Sequence, residues 1–157
     1  MAAAASTSTA TARMVRLRSS DGELFEVAAE AIAAASGTIK GMLEDDCAAD
    51  VIPLPNVTAA ILSRVLEYVN EHYSEYGIDE NAFDKDFVKV DNDTLYDLIL
   101  AANYLNMEKL LDLGCMAVAE QMRGKTPEQM RSHFNIVNDL SPEEEEEIRA
   151  EIPWAFK

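Results

Sequence analysis

The chain has 157 residues, of which 48% are hydrophobic, and a formal net charge of −16 at pH 7. This length suits one compact domain with an appendage. A chain this acidic is repelled by the phosphate backbone of nucleic acids and by anionic membrane surfaces. We therefore expect no nucleic-acid partner and no membrane partner, and favour proteins that carry basic patches. The only two cysteines, Cys47 and Cys115, form no C-x-x-C pair, which fits a reducing compartment.

The first half of the chain alternates between strand and helix signals. Residues 1–13 are rich in Ala, Ser and Thr without the apolar core of a secretory signal, so we expect a disordered leader. Alternating apolar residues on both sides of Asp21-Gly22 predict an antiparallel hairpin over about 14–27. The further predictions are helices over 28–35 and 38–43, an acidic loop over 44–50, an edge strand over 51–54 containing Pro53, and a helix from Asn56 or Thr58 to about His72.

The middle of the chain carries a helix with two apolar stripes. Before it, residues 73–90 are polar and acidic, and we predict a loop that docks near Phe87 and Val90. The helix is predicted from about Asp91 to Leu105. Its stripes are Leu95, Leu98, Ile99, Ala102 and Leu105, and then Tyr96, Leu100 and Tyr104. A surface helix needs only one stripe, so both sides should be covered, either by this chain or by a partner. The next helix runs to about Met122, with one face formed by Leu111, Cys115, Val118 and Met122.

Two helix starts of the same design follow Gly124. Thr126 and Ser141 are N-cap residues, each followed by a proline at the first helical position and by Gln129 or Glu144 three residues later. Both are capping boxes, which predict helices that begin at 127 and 142. Neither helix has enough apolar residues to fold alone, and the only tryptophan, Trp154, follows them. We predict that this end completes its folding on another protein; the alternative is that both helices dock on their own domain.

Together these elements predict an α+β fold with helices clustered against a small sheet. Motifs for chemistry are missing. His72 and His133 have no metal-ligand spacing, and we interpret both as ordinary surface or interface residues. Gly124-Lys125-Thr126 matches only the end of a phosphate-binding loop, and no nucleophile elbow occurs. The sequence therefore predicts no enzyme, no metal site and no cofactor.

Several segments, in order, resemble the Skp family, the small adaptor subunit of SCF ubiquitin ligases. They are residues 17–27, 38–45, 52–57, 98–105 with its Ala-Ala-Asn-Tyr motif, 124–128, 134–136, 138–139 and Trp154. The Trp154-Ala-Phe156 ending resembles plant members. Residues 19–22 and 36–40 are similar to elongin C as well. Elongin C ends near the helix that stops at Met122, however, so the two capped helices beyond it favour the Skp family.

The resemblance implies a BTB/POZ-like domain over 14–107 and an F-box-binding helical region over 108–157. It implies a non-catalytic adaptor, in the nucleus and cytoplasm, that bridges F-box substrate receptors to a cullin scaffold with its RING subunit. The residues expected to bind the F-box are Leu95, Tyr96, Leu100, Val118, Met122, Phe134, Ile136 and Trp154. Those expected to bind the cullin are Asn103 and Tyr104. The alternative functions are a free-standing BTB/POZ oligomerisation protein or an elongin-C-like adaptor.

One departure from the family pattern lies just before the tryptophan. Ile152-Pro153 replaces the usual polar pair, and proline restricts the residue before it to extended conformations. The tail is therefore expected to enter its pocket at a different angle.

Overall fold

The computed structural model describes residues 12–45, 51–73 and 79–156. Most of the predicted leader, residues 46–50 of the acidic loop, and residues 74–78 lie outside these ranges. Within the described ranges the elements are β1 (Met14–Arg18), β2 (Leu24–Ala28), α1 (Ala29–Ala35), α2 (Gly37–Glu44), β3 (Val51–Pro53), α3 (Ala59–His72), α4 (Glu80–Phe87), α5 (Asn92–Tyr104), α6 (Glu108–Met122), α7 (Pro127–Phe134), α8 (Pro142–Glu151) and a terminal 3₁₀ turn (Pro153–Phe156). The predicted α+β class is confirmed.

The sheet has the strand order β2-β1-β3. β1 pairs antiparallel with β2, as the hairpin prediction requires, and parallel with β3. Val15 and Leu17 face the core from β1 while the residues between them are exposed, which is the period of two that a half-buried strand needs. β3 is an edge strand in this order, in agreement with the position of Pro53.

The chain divides into two compact units between Cys115 and Met116. We call residues 1–115 the N-terminal unit and 116–157 the C-terminal unit. This division falls inside α6, whereas the sequence predicted a domain boundary at residue 107; an independent domain over 14–107 stays a prediction. The core of the N-terminal unit is centred on α3. Its largest fully buried side chains are Tyr68, Leu17, Ile32, Ile39, Leu54, Leu62, Leu95, Leu105, Met107, Val57, Val65 and Val69.

The hairpin turn caps the start of α3 from a distance in the sequence. Thr58 is the N-cap residue of α3, as one of the two predicted candidates, but its side chain makes no capping bond. Instead the Ala59 N–H donates to Asp21 Oδ1 at 2.8 Å, and the Ser19 hydroxyl donates to the same oxygen at 2.6 Å. Ser20 N–H donates to the Val57 carbonyl at 2.8 Å. The bond from Ala59 attaches the hairpin to α3. The bond from Ser19 and then the bond from Ala59 lower the pKa of Asp21.

Replacing Asp21 by asparagine is expected to lower the melting temperature at pH 7. Because the pKa of Asp21 is lowered in the folded state, its contribution to stability is present above the unfolded value of about 4 and is lost as the pH falls below it. The melting temperatures of parent and Asp21→Asn should therefore converge as the pH falls from 7 to below about 4. Thermal unfolding followed by circular dichroism across this range tests the expectation, with Asp112→Asn on exposed α6 as the control. A difference that does not change with pH would contradict it.

Part of the segment predicted as a loop over 73–90 is a helix, α4, so this prediction was wrong for residues 80–87. The Asp79 side chain accepts from Ala82 N–H and starts the helix. Phe83 and Phe87, four residues apart, then pack onto α3: the Phe87 ring lies 5.6 Å from the Tyr68 ring, centroid to centroid. The signals were present in the sequence as an aspartate N-cap and an i, i+4 aromatic pair.

The His72 side chain is buried beneath α4, whereas the sequence predicted an ordinary surface or interface residue. Its side chain is 4% exposed, and its ring stacks on Tyr68 with centroids 4.1 Å apart. Its Nε2 lies 2.7 Å from Asp84 Oδ1. An aromatic stack together with a carboxylate partner accounts for the burial of an imidazole. His72 therefore helps attach α4 to α3.

The buried face of α6 differs from the predicted one. Leu110 and Gly114 are buried, whereas Cys115 and Met122 are exposed and Val118 is half-buried. The reason is the close approach of α5: a Cβ added at Gly114 would lie 2.6 Å from Ile99 Cγ1. Gly114 therefore faces α5, and Cys115 does not.

Candidate protein-interaction surfaces

The two capped helices of the C-terminal unit form as predicted. Thr126 Oγ1 accepts from Gln129 N–H at 3.3 Å, and Gln129 Oε1 accepts from Thr126 N–H at 3.0 Å. The same reciprocal pair joins Ser141 and Glu144 at 3.2 and 2.8 Å. Both capping boxes and both start positions, 127 and 142, are confirmed. Local hydrogen bonds therefore define where these helices begin.

Ion pairs, rather than an apolar core, link α7 to α8. Arg131 Nη1 lies 3.4 Å from Glu145 Oε1, and Arg149 Nη2 lies 2.7 Å from Glu128 Oε1. Within residues 127–156, all of which the structure describes, neither helix nor the terminal turn contains a buried residue. The Arg149–Glu128 pair is exposed and the Arg131–Glu145 pair is only partly buried. Ion pairs with this much access to solvent contribute little to stability, so α7 and α8 have little of their own to fold around.

The C-terminal unit instead exposes large apolar side chains. Trp154 is 74% exposed and Ile136 is 58% exposed. Of the other residues predicted to bind the F-box, Met122 is exposed, and Val118 and Phe134 are half-buried. Further exposed apolar residues that the sequence analysis did not select are Met116, Val137, Leu140 and Ile152. Val137, Leu140 and Ile152 lie beside the predicted residues in the sequence, which is the signal that would have found them.

Ile152 ends α8 before Pro153. Its backbone angles are φ −128° and ψ 60°, outside the helical region that a following proline disfavours. The ψ value is smaller than that of the extended conformation predicted from the sequence. The chain then enters the terminal turn, where Trp154 is exposed and Phe156 is half-buried.

On α5 the first predicted stripe is largely buried and the second is not. Leu95 is 1% exposed, so the structure leaves it no open surface for a partner, whereas Leu100 is 65% exposed. Tyr96 and Tyr104 are half-buried. The described residues therefore do not fully cover the second stripe.

Leu100 lies between the two residues predicted to bind the cullin. At 3.6 residues per turn it is about 60° from Asn103 and about 40° from Tyr104, on opposite sides. Asn103 is exposed. Beside Leu100 is a small cavity of about 100 Å³, lined by Asn56, Val57, Thr58, Ile61, Asp97 and Leu100 itself. A partner that binds the face between Asn103 and Tyr104 would therefore lie next to Leu100.

The C-terminal end of α5 is fixed by the start of α2. The Ser36 hydroxyl donates to the Leu105 carbonyl at 2.6 Å, and the Thr38 hydroxyl donates to the Tyr104 carbonyl at 3.1 Å. Gly37 N–H donates to the Asn106 carbonyl at 3.1 Å. Carbonyls at a helix end lack intrahelical partners, so these bonds both satisfy them and hold the segment that carries Asn103 and Tyr104.

Over residues 12–45, 51–73 and 79–156, no three His, Cys, Asp or Glu side chains are grouped so that they could hold a metal ion. No helix in the same ranges has the length and apolar character needed to cross a membrane.

Two family models match the chain. The model described as the tetramerisation domain of the Skp1 family matches residues 13–74, and the one described as its dimerisation domain matches residues 108–155. SKP1-like protein 4 of Arabidopsis thaliana is 58% identical over 161 residues, covering 94% of this chain and 98% of the relative. SKP1-like protein 1 of Oryza sativa subsp. japonica is 52% identical over 167 residues, covering 92% and 96%. The predicted BTB/POZ-like fold is confirmed, and the chain belongs to the Skp1 family as a plant member.

Proposed function

We propose that this protein is a non-catalytic adaptor of an SCF ubiquitin ligase, which binds an F-box substrate receptor and a cullin scaffold at the same time. Family membership over nearly the whole chain supports the adaptor role in general. The adaptor sets the distance between the substrate receptor and the RING subunit on the cullin. We propose the nucleus and the cytoplasm as its location, which a fluorescent fusion in plant cells would test.

One observation carries the F-box part of the proposal. The C-terminal unit displays Trp154, Ile136 and Met122 at exposures of 74, 58 and 40%, while α7 and α8 bury no residue of their own. Large apolar side chains exposed to solvent are typical of interaction sites, and tryptophan is among the residue types most enriched in binding hot spots. An apolar helical partner such as an F-box would cover these side chains.

Reconstitution tests the function as a whole. The purified chain is mixed with a plant F-box protein and with the N-terminal domain of a cullin, and complexes are measured by size-exclusion chromatography with light scattering. A 1:1:1 complex supports the proposal. A homo-oligomer that binds neither partner would favour a free-standing oligomerisation protein. A chain that binds the cullin but no F-box protein would favour an elongin-C-like adaptor.

Replacing both Asn103 and Tyr104 by alanine is expected to weaken cullin binding and leave F-box binding intact. Asn103 is exposed and Tyr104 is half-buried at the end of α5, so neither truncation removes a fully buried side chain. Affinities for both partners are measured by calorimetry on the same preparation. If both are lost together, the variant has misfolded or the two surfaces are not separate.

Leu100→Glu decides which partner covers the second stripe of α5. The family resemblance assigns Leu100 to the F-box, but the position of Leu100 between Asn103 and Tyr104 on α5 favours the cullin. We expect cullin affinity to fall at least tenfold, because a charge would be buried without a partner. F-box affinity should not change. Loss of F-box binding alone would restore the original assignment.

A further inference from the structure

The terminal turn contacts α8 through an arginine that also binds α7. The Arg149 guanidinium carbon lies 4.7 Å from the centroid of the Phe156 ring. On the same side chain, Nη2 lies 2.7 Å from Glu128 Oε1 in the first turn of α7. We call these three residues, Glu128, Arg149 and Phe156, the Arg149 bridge. It joins α7, α8 and the end of the described chain.

The turn needs such support because it is short. A four-residue 3₁₀ turn has poor hydrogen-bond geometry, and chain ends fray unless something holds them. Its backbone is connected to α8 by Ile152 N–H donating to Ile148 at 3.0 Å and Ala155 N–H donating to Ile152 at 3.1 Å. A guanidinium is planar and can stack on a ring while donating to a carboxylate. Arg149 makes both contacts, with the ring of Phe156 and with the carboxylate of Glu128.

The two aromatic residues of the tail differ in their exposure to solvent. Phe156 is half-buried beside Arg149, while Trp154, two residues earlier, is 74% exposed. With Phe156 held, the indole is directed to solvent. The free protein therefore displays the tryptophan already on an ordered turn.

We propose that the Arg149 bridge orders the terminal turn before a partner binds, so that Phe156 is a positioning residue for Trp154. This rests on the proposed F-box function, since the F-box is the partner to which Trp154 would be presented. Fixing a segment in its bound conformation improves affinity by reducing the entropy lost on binding. The bridge accordingly raises F-box affinity without itself contacting the F-box.

The expected effect is modest and depends on salt. Arg149 and Glu128 are each 50% exposed, and interactions between exposed charges are weak and screened by ions. We expect Arg149→Gln and Phe156→Ala each to weaken F-box binding by roughly threefold to tenfold. The difference between parent and Arg149→Gln should shrink as salt rises from low to about 0.5 M.

The test combines affinity with the order of the free tail. Parent, Arg149→Gln, Phe156→Ala and the double variant are compared by calorimetry with an F-box domain, and by ¹⁵N heteronuclear NOE at residues 154–156 without partner. Arg123→Gln is the charge-matched control, because Arg123 forms an exposed pair with Glu120 at 2.8 Å. We expect both single variants to lower the NOE and the affinity, the double variant to match Phe156→Ala, and the control to match the parent.

The outcomes are distinguishable. If Phe156→Ala weakens binding while Arg149→Gln changes neither affinity nor NOE, Phe156 contacts the partner directly and the proposal fails. If the parent tail has a low NOE, the turn is not ordered in advance and the proposal also fails. If the parent does not bind the F-box domain at all, the proposed function is wrong, and an Arg149-dependent NOE would then leave only an ordered tail without that role.

Discussion

Trp154→Ala is expected to weaken F-box binding by about 2 kcal/mol or more, which is roughly thirtyfold in the dissociation constant. The indole is 74% exposed in the free chain, so burying it on a partner removes a large apolar area from water. The same exposure means that its removal costs the free protein little. Calorimetric titration with an F-box domain measures the loss, and thermal unfolding of the free variant shows that its stability is unchanged.

Leu24→Ala is the matched control for this experiment. Leu24 is 56% exposed on β2, in the N-terminal unit and outside the proposed F-box residues. Its truncation should leave the affinity unaltered. Because Trp154 is the only tryptophan, its fluorescence reports its environment directly and should shift to shorter wavelength when the F-box is added. Unchanged affinity in Trp154→Ala, or fluorescence that does not respond to the partner, would contradict its role as an anchor.

Features set by neighbouring residues were predictable from the sequence. The capping boxes at Thr126 and Ser141 depend on residues three positions apart, and both formed as expected. Gly124 ends α6 with φ +71°, a conformation that favours glycine. In each case the hydrogen bond or backbone angle is decided within one helical turn.

Features set by distant residues were not predictable. The cap of α3 comes from Asp21, which lies 38 residues before Ala59, and the burial of His72 depends on Asp84 in a helix that the sequence analysis had interpreted as a loop. On α6 the apolar pattern alone favoured Cys115, but the glycine faces Ile99. The spacing of apolar residues along a helix does not show which neighbouring helix will pack most closely against it.

Some features of the candidate site were likewise predictable from the sequence, and others were not. Exposure of Trp154 and Ile136 agrees with what the poor apolar content of the last helices predicted. Leu95, placed in the same set by resemblance, is buried, and Leu100 shares a helix face with the proposed cullin residues. Assignment of neighbouring residues on one helix to two partners requires knowing which of their side chains are exposed, and only the packed helix shows this.

Gly114→Val is expected to destabilise the protein by about 1–3 kcal/mol. A Cβ at this position would lie 2.6 Å from Ile99 Cγ1 and 3.4 Å from Cδ1. The nearest atom belongs to the stiff, β-branched part of isoleucine and not to a flexible end, so α5 and α6 would have to move apart. Urea unfolding measures the change in the free energy of unfolding. The same displacement would move α5, which carries Asn103 and Tyr104, relative to the start of α6.

Two further variants separate overpacking from the effect of a β-branched residue in a helix. Gly41→Val in α2 is the control, since a Cβ there would meet no described atom within 4 Å other than its chain neighbours and the backbone of its own helix. This variant should be neutral or slightly stabilising, because valine has a higher helix propensity than glycine. Ile99→Ala should restore part of the stability of Gly114→Val by opening the space that the new side chain needs, so the two changes together should cost less than their sum. If Gly114→Val is as stable as the parent, or if the two changes are simply additive, α5 and α6 do not pack as closely as the contact between Gly114 and Ile99 requires.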